Sequence, residues 1–233
     1  MSAHQTTTAP YFLARPIDDS PELIAESYRL RYQVYCRERS FLAAEDYPNG
    51  QESDAFDRHS EHIGVLDPWG TLVATGRVVN LTQAGPGLPL FRHCRIFANE
   101  TELIDPDNRV VEISRVAMSR RYRRKTAEGL PERRDIRGEA FLTLLKGVYH
   151  ASKRMDATHW LAATEKSLHR LLEHHGFPFR VIGPPANYSG PVAPYLMNLA
   201  EFEDVVRSRR IPALDDFLVD PAARESAALA LTV

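Results

Sequence analysis

Leu23, Ile24, Ser27, Tyr28, Arg31, Val34 and Tyr35 recur at three- and four-residue spacing, which predicts a helix from Ser20-Pro21 to about Glu38. Ser20 is its N-cap, Pro21 takes the first helical position, and Arg31 and Tyr35 fall on one face. A short strand over Tyr11 to Ala14 precedes it, and residues 40–58, aperiodic and carrying Pro48-Asn49-Gly50, read as a loop. His62 to Leu66 and Thr71 to Asn80 flank the turn signal Asp67-Pro-Trp-Gly70 and predict a hairpin. The β-branched run Arg109 to Met118 predicts a long strand. A helix follows from about Asp135 to Lys153, striped by Phe141, Leu144, Leu145 and Val148. Then come a strand Thr158 to Thr164, a helix Lys166 to His175 stopped by Gly176, strands Phe179 to Ile182 and Val192 to Leu199, and a last helix from about Ala200. The order predicts an α/β chain with a mixed sheet, an antiparallel hairpin in its middle, and helices flanking it. No linker-like segment divides residues 1–233, so one domain is expected, with weakly patterned tails at 1–10 and about 217–233.

Composition narrows the class. The chain has 233 residues, 43% apolar and 26% charged, enough for a sizeable core. No apolar run approaches the roughly 20 residues that span a bilayer. Met1 to Pro10 lacks a signal-peptide pattern, and two cysteines, Cys36 and Cys94, exclude a disulfide framework; a cytoplasmic location is expected. The net charge of −2 conceals an asymmetry: Ser119 to Arg137 holds eight bases and three acids, a sum of +5, so the remainder sums to −7. HExxH, GxSxG and Walker patterns are absent, no metal-ligand spacing occurs, and only Tyr122 interleaves the basic cluster, which speaks against nucleic acid as a partner.

Three fragments mix charge with apolar residues where a plain core would use only the latter: Arg31 to Tyr35, Glu52 to Asp57 and Glu112 to Arg115. Buried charge must pair or face a ligand. An Arg31 followed four residues on by Tyr35 and ten on by Phe41, a Glu-x-Asp-x-x-Asp set at Glu52, Asp54 and Asp57, then Arg77, Phe91 and Glu112-x-x-Arg115 together resemble the acyl-homoserine-lactone synthases and the N-acyl amino acid synthases. Phe41 stands where those families usually carry Trp. Tyr32 to Cys36, Glu45-Asp-Tyr-Pro48 and Glu112 to Ser119 are similar, further, to the PEP-CTERM/exosortase-associated acyltransferases. The resemblance implies a GNAT-like fold and acyl transfer. It implies a substrate site at Arg31, Tyr35, Phe41, Glu52, Asp54, Asp57, Arg77, Phe91 and Arg115, with the thioester held by the strand through Val116 and Met118.

Acylating an amine needs a neutral amine, a positioned thioester and donors for the oxyanion. Glu112, flanked by Val110, Val111 and Ile113, is the candidate to take the amine proton, its pKa raised by that setting. Ser114 shares its strand face, whereas Arg115 points the other way on a regular strand; a bulge would redirect it. Val116 to Lys125 falls where GNAT enzymes carry a Gly-rich pyrophosphate loop, but the glycines are missing and Arg120, Arg121, Arg123, Arg124 and Lys125 stand there. That favours a phosphopantetheine thioester on an acidic acyl carrier protein over coenzyme A, with no permanently bound cofactor and a small amino-acid-like acceptor. Leu172 takes the place of the family's Tyr acid, leaving His174 or His175 as substitutes. Open beside these readings are an acyl-homoserine-lactone synthase using S-adenosylmethionine and a non-catalytic acyl or carrier-protein binding module. An ion-pair network that merely fixes the loop and a solvated basic loop also remain.

Overall fold

The structure, a computed structural model, describes residues 11–80, 87–123 without 104 and 106, and 136–219 without 189, 210, 212, 213 and 215. Strand β1 (Leu13–Pro16) leads to helix α1 (Pro21–Tyr32), whose Ser20 cap accepts a hydrogen bond from the Leu23 amide at 3.3 Å. Strands β2 (Ser60–Leu66) and β3 (Leu72–Asn80) form the expected hairpin. Asp67 Oδ1 accepts from the amides of Trp69 and Thr71, and Gly70 takes a φ of 80°, which closes the turn. Strand β4 (Val110–Met118) and a helical turn α2 (Arg120–Arg123) come next, then α3 (Ile136–Arg154), β5 (His159–Thr164) and α4 (Lys166–His174). Short strands β6 (Arg180–Val181) and β7 (Ala186–Asn187), β8 (Pro191–Asn198) and α5 (Leu199–Arg209) complete the strands and α-helices of the described residues.

The sheet runs β1-β2-β3-β4-β5-β8-β6, with β7 paired to β8; β4 and β5 are parallel and the other pairs antiparallel. Alternation sorts the strand residues between two faces. Ile63, Val65, Val78, Val111 and Ile113 meet Phe141, Leu144, Leu145 and Val148 of α3 in the main core. Helix α3 approaches closely because residue 147 is Gly: a Cβ there would lie 2.8 Å from Ala14 Cβ and Ile63 Cγ2. On the other face, Phe56, Val79, Leu90, Leu161 and Leu196 form a second core beside which α1 lies.

Several expectations shift. The first strand runs Leu13–Pro16, not Tyr11 to Ala14, because Phe12 is spent in the core and pairing with β2 begins at Leu13. The first helix does not stay α-helical to Glu38: Gln33–Glu38 widens to a π-helical turn, in which the Arg39 amide bonds the Val34 carbonyl, and Ser40 ends it at φ 53°. The strand expected at Phe179 to Ile182 is only Arg180–Val181, since the rings of Phe177 and Phe179 turn into the main core. Phe217 is not part of a loose tail; it is 2% exposed and packs against Phe202 and Phe177. Arg124 and Lys125 lie outside the described residues.

Candidate active site

The acids of the loop meet the arginines of three elements. From α1, Arg31 donates through Nε to Glu52 at 2.6 Å and through Nη1 and Nη2 to Asp57 at 2.6 and 3.2 Å. From β3, Arg77 donates to Asp54, Asp57 and the Ser114 hydroxyl. From β4, Arg115 donates through Nε to Glu52 and through Nη2 to Asp54. His62 joins Asp57 to Asp18, at 3.1 and 2.7 Å from its two ring nitrogens. Burial alone would raise the carboxyl of Asp57 and lower the imidazole of His62; their partners outweigh it. Asp57 is held far below the usual carboxylate range by His62, Arg31 and Arg77, and His62 is raised by Asp18 and Asp57. Three arginines against Glu52, Asp54 and Asp57 make a neutral cluster that anchors the loop.

Arg115 reaches that cluster through a bulge. Thr75 pairs with Ala117 but Arg77 with Ser114, so Arg115 and Val116 together face Gly76. Arg115 takes a φ of 52°, a left-handed conformation that costs a non-glycine residue about 1–2 kcal/mol. Its reward is the side chain's transfer to the face of Arg77, Ser114 and Glu112. Regular alternation, which would have sent Arg115 to the α3 side, does not hold. Burial, which would lower the guanidinium's pKa, is outweighed by Glu52, Asp54 and other neighbours. The Tyr35 hydroxyl donates to the Val116 carbonyl at 2.8 Å, and Arg115 lies 5.8 Å over the Tyr35 ring. The residues four apart on the predicted helix thus both serve the bulge.

Beyond the bulge the sheet opens. Strands β4 and β5 pair only at Val110–His159, Val111–Trp160 and Glu112–Leu161. A cleft of about 730 Å³ lies past that last pair, between the stretch from Ile113 to Met118 and Ala162 to Thr164. Its inner end is apolar, with Phe141, Leu145, Trp160, Leu171, Leu172 and Phe179; its mouth carries Tyr35, Arg39, Phe41, Arg115, Glu165 and Tyr188. Glu112 sits at the vertex, 2% exposed, with Oε2 accepting from the Leu90 amide at 2.8 Å. Among the described residues nothing bonds its Oε1. Burial raises its carboxyl to about 7, against the opposing pull of the Leu90 amide, Arg77 and Arg115. A buried carboxylate at an open cleft, with one oxygen unbonded among the described residues and titrating near neutrality, is suited to accept a proton.

Glu112, Ser114, Tyr35, Phe41, Arg115, Val116 and Met118 line the cleft; Arg31, Glu52, Asp54, Asp57 and Arg77 stand behind Arg115 as its support. Phe91 does neither: it is 41% exposed on a 3-10 turn whose neighbours Leu88 and Leu90 are buried instead. Arg120 and Arg121 are exposed beyond the end of β4. Of the two histidines, His175 lines the cleft and His174 does not. Sequence reasoning missed the Leu90 amide, Tyr188 stacked on His93 with centroids 3.8 Å apart, and the Arg39–Glu165 pair at the mouth. None of these belongs to a local pattern; each depends on segments far apart in the chain.

Residues 30–130 match the family model described as acetyltransferase (GNAT) domain. No curated protein matches the chain in sequence. Among solved structures, FeeM, an N-acyl amino acid synthase from uncultured soil microbes, superposes with a TM-score of 0.56 at 14% identity, covering 84% of this chain and 95% of its own. The CoA-dependent acyl-homoserine lactone synthase BjaI, solved with SAM and isopentyl-CoA, gives 0.61 at 18%, covering 86% and 89%. The AHL synthase LasI gives 0.56 at 15%, covering 82% and 91%. The fold is thus the GNAT fold, an eight-stranded mixed sheet flanked by helices, with the match to the acetyltransferase (GNAT) domain model confined to residues 30–130. Among the described residues no helix is long and apolar enough to cross a membrane.

Proposed function

We propose that the protein is an N-acyltransferase. It moves a fatty acyl group from the phosphopantetheine thioester of acyl carrier protein, or of coenzyme A, to the amine of a small amino-acid-like acceptor in the cytoplasm. The observation that carries this reading is Glu112: buried at the cleft vertex, one oxygen held by the Leu90 amide, the other without a described partner, and titrating near 7. Glu112 takes a proton from the acceptor's ammonium, directly or through a water. The neutral nitrogen attacks the thioester carbonyl, the C–N bond forms, the C–S bond breaks, and the thiol leaves with a proton. The edge of β4 past Glu112, freed from β5, supplies backbone donors for the oxyanion. The apolar inner end takes the acyl chain. Exposed Arg120 and Arg121 suit an acidic carrier protein, while the likeness to a CoA-dependent synthase keeps coenzyme A as the second donor. The tie to exosortase systems rests on the sequence fragments quoted above, and gene neighbourhood is its test.

The test is thiol release from a panel of acyl carrier protein and coenzyme A thioesters, with pooled amino acids and S-adenosylmethionine as acceptors and mass spectrometry of the products. An N-acyl amino acid, lost in Glu112→Gln, establishes the reading. A lactone assigns the chain to the autoinducer synthases. Thiol release no faster than hydrolysis with every pair sinks the enzymatic reading in favour of a binding module.

A further inference from the structure

Two charges at the cleft mouth have no part in the mechanism above. Arg39, at the end of the π-helical turn, donates through Nη2 to Glu165 Oε2 at 3.0 Å. Glu165 follows β5 and precedes α4, so the pair joins the two walls of the cleft where the sheet no longer does. Both side chains are partly open to solvent, 48% and 27% exposed, and such a pair is cheap to open. Among the described residues, Nε and Nη1 of Arg39 and Oε1 of Glu165 are not engaged.

The other guanidinium in the cleft, Arg115, has Nε and Nη2 committed to Glu52 and Asp54, and those two acids surround it. A third carboxylate arriving there would meet two others. At Arg39 it would meet only Glu165, which can swing aside. Arg39 is also held in position: its guanidinium lies 5.4 Å over the Phe41 ring. That ring is backed by Gly190, at φ 117°, where a Cβ would come within 3.0 Å of it. The mouth therefore presents one available cation and one available anion side by side.

We propose that Arg39 and Glu165 recognise the acceptor as an α-amino acid zwitterion as it enters the cleft, its carboxylate on Arg39 and its ammonium on Glu165, before the ammonium passes inward to Glu112. The pair opens as the ligand enters, and each charge exchanges one partner for another, so that no charge is left unpaired inside the cleft. The inference deepens the amino-acid acceptor proposed above and rests on it. Arg39 and Glu165 are then specificity residues rather than members of the proton-transfer step.

The experiment takes the amino acid that the wild-type protein acylates best among the standard twenty. It compares kcat/KM for that acid, its carboxamide and its decarboxylated amine, at a fixed saturating acyl thioester. The wild type should prefer the acid over the amide by about 10- to 100-fold, the range of a charge-assisted hydrogen bond. Arg39→Ala should bring the two near parity, Glu165→Gln should weaken all three acceptors, and the KM of the donor should stay unchanged. The swap R39E/E165R restores an ion pair across the mouth but reverses its polarity; it should not recover the acid preference. The proposal is overturned if Arg39→Ala keeps that preference, if the swap restores it, or if the change falls on the donor's KM. It is also overturned if the wild type acylates amines but favours those without a carboxylate. A wild type that acylates no amine at all fails the function itself, an outcome distinct from unaltered discrimination in an active Arg39→Ala variant.

Discussion

Asp57 and Glu112 are both buried carboxylates on the same side of the sheet, and they stand in opposite states. Asp57 is surrounded: Arg31, Arg77 and His62 converge on Oδ1, and Oδ2 accepts from Arg31 and the Asp54 amide. Glu112 lines the cleft with one amide on Oε2 and no partner for Oε1 among the described residues. The first is fixed as an anion well below the usual range, the second raised to about 7. Burial opposes ionisation in both; the number of donors decides which carboxylate keeps its charge. The saturated acid holds the loop and Arg115 in place, and the under-saturated one is left able to exchange a proton.

The largest effects should separate the two. Glu112→Gln keeps the shape and the acceptor for the Leu90 amide while removing the base, so turnover should fall by about 10²–10⁴-fold with the fold intact. Steady-state kinetics beside thermal unfolding check this; a fully active, folded variant removes Glu112 from the reaction. Arg31→Met should do the reverse. It leaves Glu52 and Asp57 short of a buried partner, at a cost of about 3–5 kcal/mol in stability. Denaturant unfolding measures it, and a loss below 1 kcal/mol would mean that the cluster repacks without Arg31.

The contrast should appear next in pH dependence. Glu112 is raised in the folded state from 4.5 to about 7, so its stabilising contribution is complete below pH 4.5 and lost as pH rises through 7. Glu112→Gln, which cannot ionise, should therefore gain on the wild type across that window, by on the order of 3 kcal/mol. Activity should rise with pH through about 7 as the base ionises. Asp57 is lowered from 3.8, so its contribution is present above pH 3.8 and lost as pH falls through its folded value. The stability difference between wild type and Asp57→Asn should shrink toward acid, with a slope opposite to that of Glu112→Gln. His62, raised above 6.5, contributes below that pH and ceases to as pH rises through its folded value, so His62→Gln should converge on the wild type in alkali. Equal slopes for the two carboxylate variants would erase the distinction.

Much of this arrangement was legible in the chain. Ser20-Pro21, Asp67-Pro-Trp-Gly70 and the β-branched run into Met118 carry local physics, a cap, a turn and a strand, that tertiary contacts did not override. The acids and arginines, Arg77 included, group through the family resemblance; the mixed fragments by themselves say only that their charges must pair or face a ligand. Arg115 could not be aimed from sequence, since its left-handed φ has no glycine to announce it and is sustained by Glu52 and Asp54 from a distant loop. The same holds for the Leu90 amide and for the Arg39–Glu165 pair, 126 residues apart. Phe91 shows the converse: a motif match identified a residue whose neighbour's backbone, not whose ring, reaches the site.

The smallest effect concerns what holds the bulge. Tyr35 donates its hydroxyl to the Val116 carbonyl at 2.8 Å, while Arg115, one residue earlier, is tied by Glu52 and Asp54. Tyr35→Phe removes one neutral hydrogen bond and keeps the ring beneath the guanidinium. A net hydrogen bond contributes about 0.5–1.5 kcal/mol, and the cleft admits water to the orphaned carbonyl, so the loss should lie at the low end. If the charge cluster fixes the bulge, kcat/KM should change by no more than about threefold, the equivalent of that small loss. A fall of kcat beyond tenfold at unchanged stability would mean that the Tyr35 hydroxyl itself meets the reacting atoms. Tyr35 would then stand with Glu112 rather than with the saturated cluster.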